Sequence, residues 1–294
     1  MHPRDSPLAR LETRLTQWPP IFFFLISACF HYLGPAFAVI LFQQIAPLGV
    51  AWLRIATAAV VFALFRKPWR VFLRLDRRDQ CRLIAFGVVL GVMNSCFYLS
   101  ISMLPLGTVG AIEFLGPILL AVSRFRTARN FVSLTLAVTG VYFLTHIEIK
   151  HALLGYIFAF ANCGLFMLYV SIGHAIASSG VITGADAIGS AMLISLITVV
   201  PIGIRDASVA FVNPMLLAAA AGVGISSSVI PYVCDQLAMK KLPAASFSLL
   251  LSLLPATATA MGIIVLRQFP SELQVIGMLL VVAGVALHRP ETRS

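Results

Sequence analysis

From Gly87 to Pro117 the chain reads GVVLGVMNSCFYLSISMLPLGTVGAIEFLGP, and its one formally charged side chain is Glu113. The stretch predicts two apolar helices joined by a tight turn at Leu104-Pro105-Leu106-Gly107. Asn94 and Tyr98, one helical turn apart, share a face of the first helix. A carboxylate inside an apolar helix of membrane length is expensive to keep, which makes it a functional candidate by default.

The surroundings of that stretch are equally apolar. Across 294 residues, 60% are hydrophobic and 11% charged, where a soluble domain is about one quarter charged. Water-soluble folding cannot hide so much apolar surface, so the solvent is lipid. The length accommodates about ten spans of roughly 20 residues with short links. The longest polar connection runs from Arg66 to Arg82. The net charge of +10 is not a nucleic-acid footprint, because the basic residues cluster in loops between apolar runs. The five cysteines (Cys29, Cys81, Cys96, Cys163 and Cys234) form no CxxC pair. Four of them lie in apolar runs and read as small hydrophobes, and the set suggests neither a disulfide nor a metal site.

Hydropathy predicts helices at about Ile21–Phe42, Leu48–Phe65, Leu83–Met103, Leu106–Ser123 and Phe131–His146. A second set follows at about Ala152–Gly173, Ile182–Ile204, Pro214–Leu237, Pro243–Leu266 and Ser271–Leu287. Ala36-Phe37-Ala38 resembles a leader cleavage site, but the apolar run continues past it and reads as the first helix. With the N-terminus inside, every basic residue except Arg54, Lys150, Arg205 and Arg267 falls on the cytoplasmic side. This bias places both termini in the cytoplasm.

The rhythm repeats. Leu104-Pro105 and Leu242-Pro243 each open a helix that contains a second proline, Pro117 or Pro255, at the same spacing. Later, AVTGVYFLTH and VVAGVALHR align on Gly140 and Gly284, with the longer loop LRQFPSEL taking up the offset. Five spans per copy make the second copy enter the membrane from the opposite side, an architecture used for alternating access. The expected fold is an all-α integral membrane protein: ten transmembrane helices in two inverted five-helix repeats around a central cavity. Residues 1–20 form a cytoplasmic segment, 21–147 and 148–288 the repeats, and 289–294 a cytoplasmic tail.

The pattern FRKPWR followed by the Gly87–Pro117 stretch resembles the drug/metabolite transporter superfamily in its EamA-domain branch. The resemblance covers essentially the whole chain and is most specific from Asn94 to Pro117. It implies a bacterial inner-membrane exporter of amino acids and related small metabolites, working by secondary transport through a cavity between the repeats. It implies no cofactor, no nucleic acid and no ATP, and the chain carries no GxxxxGK[ST] loop. Protons are an open option as the coupled ion, and a monomer is the working expectation. The chain departs from the family's pattern at Leu251, where a glutamate often precedes the second-half proline, and at Leu266-Arg267-Gln268. Glu113 therefore lacks its repeat-related partner, which puts any two-carboxylate mechanism in doubt.

Candidate path residues are Glu113, Asn94, Tyr98, His31, Arg54, Asn162 and Tyr169. Glu113 can bind a substrate ammonium, carry a proton, or pair with Arg54. Arg54 can hold a carboxylate bidentately or reach out to the headgroups. The Asn94/Tyr98 and Asn162/Tyr169 stripes can line a polar path or bond between helices. His31 precedes a Gly34-Pro35 pair where the first helix is expected to kink. The other turn or hinge points are Pro105, Pro117, Pro231, Pro243 and Pro255. Asp186 and Asp235 read as interfacial, and GVGISSS as a close helix contact. Export of another cargo, a hydrophobic drug or a nucleotide-related metabolite, is the alternative, the 21 phenylalanines suiting an apolar one. An enzyme would need a cluster of acid, base or metal ligands near one face, and none is apparent.

Overall fold

The computed structural model describes residues 19–124, 127–145, 149–239 and 253–287. Among them there are helices and no strands. The helices are α1 (Pro20–Leu41), α2 (Pro47–Arg66), a short α3 (Pro68–Phe72), α4 (Arg77–Ile101), α5 (Leu106–Arg124) and α6 (Ala128–Thr145). They continue with α7 (Ile149–Ser179), α8 (Gly184–Phe211), α9 (Pro214–Gly224), a π-helical segment (Ile225–Val229), α10 (Ile230–Met239), α11 (Leu254–Leu266) and α12 (Glu272–Leu287). Six helices are long and apolar enough to cross a membrane, and four shorter apolar ones accompany them. Their outward faces are lipid-like: Leu64 is 71% and Ile197 72% exposed. The chain is a multi-pass membrane protein. Pro243 and Leu251 lie outside the described residues.

Chain chemistry sets the helix starts. Proline opens α1, α2, α3 and α9, where its missing N–H costs nothing. Asp76, Thr183 and Asn213 accept from the first free N–H groups of α4, α8 and α9. Several helices outrun their apolar stretch. The expected loops His174–Gly180 and Arg205–Asn213 are helical to Ser179 and Phe211. Their polar side chains bond back to the helix: Ser178 Oγ donates to His174 O at 2.7 Å and Ser208 Oγ to Arg205 O at 2.6 Å. Hydropathy marks where lipid ends, not where helix ends.

Many pairings tie the halves of the chain together, among them α2 with α8, α5 with α11, and α6 with α12. Further packing joins α4 to α7 and α8, α1 to α10 and α11, α2 to α9, and α5 to α7. The α6–α12 crossing is as close as backbones allow. A Cβ at Gly277 would lie 2.6 Å from the carbonyl oxygen of Gly140, and a Cβ at Gly140 would meet Gly277 in return. Ser133 Oγ donates to Gly284 O across the same seam. Small residues at a helix crossing are how membrane helices gain van der Waals contact. Gly140→Val should therefore cost about 1–3 kcal/mol through forced separation. Gly222→Ala, with nothing within 4 Å of its Cβ, is the control. Thermal unfolding in detergent checks both, and equal midpoints would contradict the crossing.

Candidate functional site

A cavity of about 340 Å³ lies among α1, α2, α4, α5, α7, α10, α11 and α12. That is within the size range of small-molecule sites. His31, Arg54, Asn94, Glu113, Asn162 and Tyr169 line it, as do Pro35 and Pro117. Six of the seven sequence candidates therefore line one cavity although five helices contribute them.

Arg54 is the only buried cation among the described residues. It does not reach out to the headgroups. Its Nη1 donates to Asn94 Oδ1 at 2.7 Å, its Nε to Ser228 Oγ at 3.0 Å, and its Nη2 to the Ser227 carbonyl at 3.3 Å. Its guanidinium lies over the Tyr98 ring, 5.4 Å from the centroid. Asn94 is in turn fixed by donating Nδ2 to Leu90 O at 2.7 Å. Tyr98 is the candidate that does not line the cavity; it backs Arg54 from behind. The Asn94/Tyr98 stripe thus serves as the arginine's cradle.

Proline explains why the Ser227 carbonyl can accept. Pro231 has no N–H to offer the residue four positions earlier, which is Ser227. The chain is locally wound as a π segment from Ile225 to Val229, with Ile230 N bonding Ile225 O. The same spacing recurs at the cavity: Pro35 follows His31, and Pro117 follows Glu113, by four. Each removes a helix bond at a lining residue, though α1 and α5 continue unbroken through their prolines. Gly34 is a contact point, since a Cβ there would run into Ser226 and Ser227 of the π segment. The GVGISSS stretch is accordingly both a close contact and an arginine anchor. Pro105 sits at the α4–α5 turn beside a second cavity, and Pro255 is buried in the first turn of α11. Pro231→Ala restores the missing N–H as a rival to Arg54 for Ser227. The expected result is weaker transport with unchanged or higher thermal stability; full transport would separate the proline from the arginine.

Glu113 is the only buried carboxylate among the described residues. Asn162 Nδ2 donates to its Oε1 at 3.3 Å. Tyr32 turns its hydroxyl towards the carboxylate without completing a hydrogen bond. Asn162 Oδ1 is fully buried and has no partner. No ion pair joins Glu113 to Arg54; the ion pairs among the described residues are Arg66–Asp186 at 3.2 Å and Arg82–Asp79 at 3.0 Å. His31 packs edge-on against Tyr32, with centroids 5.2 Å apart. Tyr169 stacks between Phe86 (4.6 Å) and Phe166 (6.2 Å).

Ser227, Ser228, Tyr232 and Asp235 were not among the sequence candidates. The signal for the first two is proline spacing. Asp235 was expected at an interface, but it lines the cavity from α10, because that helix turns this face inward.

Arg54 has five N–H groups and gives three to the protein. Two remain for a carboxylate. Glu113 and the free Asn162 Oδ1 supply acceptors for an ammonium group. One cavity thus offers both a carboxylate receptor and an ammonium receptor, between mainly apolar walls.

The family model described as the EamA-like transporter family matches residues 153–288. The threonine/homoserine exporter RhtA of Salmonella typhimurium (strain LT2) is 32% identical over 274 residues, 92% of this chain and 91% of the relative. Its counterpart in Escherichia coli K12 is 31% identical over the same share of each chain. A solved crystal structure aligns at a TM-score of 0.59 with 18% identity, covering 92% of this chain and 97% of the other, a likeness of fold.

Proposed function

Because the chain belongs to the EamA-like transporter family, we propose that it exports amino acids and related small metabolites across the bacterial inner membrane by secondary transport. The observation that carries this reading is the pairing of Arg54 and Glu113 as separate, unpaired charges facing one cavity. A zwitterion presents the matching charges. Similarity to relatives named as threonine/homoserine exporters supports an amino-acid cargo.

In this reading residues 21–147 and 148–288 are inverted repeats of five spans each, flanked by cytoplasmic residues 1–20 and 289–294. The packing pattern supports it. If α1, α2, α4, α5 and α6 correspond to α7, α8, α9–α10, α11 and α12, then α4–α7 mirrors α10–α1, and α5–α7 mirrors α11–α1. The α2–α8, α5–α11 and α6–α12 contacts then map onto themselves. The family match to residues 153–288 lies within the proposed second repeat, which supports this division. Exchange of the two repeats' conformations would open the cavity to each side in turn. Glu113, buried and without an ion pair among the described residues, is also a group able to carry a proton.

Purified protein in liposomes is expected to catalyse counterflow of radiolabelled amino acids without ATP. No counterflow of any amino acid would overturn the reading. An imposed proton gradient that leaves initial rates unchanged would remove proton coupling alone.

A further inference from the structure

We propose that the cavity contains a third charged subsite, at Asp235, which selects amino acids bearing a positively charged side chain. The inference rests on the amino-acid reading of Arg54 and Glu113 and adds a side-chain specificity to it.

The charges point to such a cargo. Arg54, Glu113 and Asp235 line one cavity, one cation facing two carboxylates. A neutral zwitterion would satisfy the first two and leave Asp235 without a counter-ion. Among the described residues Asp235 has no cationic partner, and the Ser27 hydroxyl, which lines the same cavity, donates to the Pro231 carbonyl at 3.4 Å. A carboxylate facing a largely apolar cavity is costly until a cation reaches it. A dibasic amino acid carries one carboxylate and two ammonium groups, the complement of this set.

The spacing agrees. Ser228, Tyr232 and Asp235 fall at i, i+4 and i+7, on one helical stripe. Arg54 is anchored on Ser228, so Asp235 lies seven residues further on, about 10 Å of helix rise. Tyr232, between them, is within electrostatic reach of Arg54, Glu113 and Asp235 together. Six bonds of about 1.5 Å separate the carboxylate carbon of lysine from its terminal nitrogen. A charge-assisted hydrogen bond of about 2.8 Å at each end completes the span. The stem would cross the Phe166–Tyr169 aromatic wall, whose rings lie 15° from parallel. Such a surface accepts methylenes and favours a passing cation. Near the α-carbon, the unpartnered Asn162 Oδ1 supplements Glu113 as an acceptor for the α-ammonium.

Norleucine is the probe that isolates the third charge, because it keeps lysine's four-carbon stem and carries a hydrogen in place of the terminal ammonium. Counterflow of lysine, norleucine and threonine is measured with the purified full-length protein in liposomes. The wild type is expected to exchange lysine at least tenfold faster than norleucine, and Asp235→Asn to lower the lysine-to-norleucine ratio at least tenfold. Exchange of threonine or norleucine in preference to lysine by the wild type would overturn the inference while leaving amino-acid export intact. A ratio unchanged in Asp235→Asn would also overturn it. No exchange of any amino acid would remove both readings. The wild-type ratio decides the matter alone if the variant fails to fold.

Discussion

Arg54→Lys is expected to raise the KM for amino-acid counterflow at least tenfold while retaining the positive charge. The reason is donor arithmetic. The guanidinium spends three N–H groups on Asn94, Ser227 and Ser228 and keeps two for cargo. A lysine ammonium has three donors in all and no planar fork. It can serve the protein's acceptors or the cargo carboxylate, not both. Each abandoned buried acceptor costs about 1–3 kcal/mol, so the melting temperature should fall as well. Substrate-saturation kinetics and thermal unfolding, taken on the same preparation, separate the two effects. Wild-type KM in Arg54→Lys would confine Arg54 to a structural role.

Glu113→Gln should cut transport by roughly ten- to a hundredfold, the loss of one charge-assisted hydrogen bond worth about 1.5–3 kcal/mol. Stability should hold or improve. The amide keeps the shape and the neighbourhood of Asn162, and it relieves the cost of a buried charge that has no ion pair. The combination of lost transport with retained folding distinguishes a cargo or proton site from a structural one. Full activity in Glu113→Gln would return the residue to helix packing.

The apolar helices and the individual polar residues were legible in the sequence because lipid makes each deviation from apolar costly. What the residues touch was less so. Glu113 and Asn162 were visible separately, but their contact depends on how α5 and α7 cross. Arg54 offered two readings, and the burial of its head follows from a carbonyl released by Pro231 on a distant helix. That spacing of four is printed in the sequence and recurs at His31–Pro35 and Glu113–Pro117. Asp235 was misplaced for a related reason. Hydropathy records closeness to a helix end and is silent on which face looks inward.

Removing the cargo carboxylate, in the wild type and in proteins altered at Arg54 or Glu113, tests most directly whether the carboxylate end of a zwitterion is gripped by Arg54 and not by Glu113. Binding of an amino acid, its amide and its decarboxylated amine is compared in wild type, Arg54→Lys and Glu113→Gln. The account predicts that loss of the cargo carboxylate weakens binding at least tenfold in the wild type and in Glu113→Gln, but by much less in Arg54→Lys. Equal losses in all three proteins would contradict it.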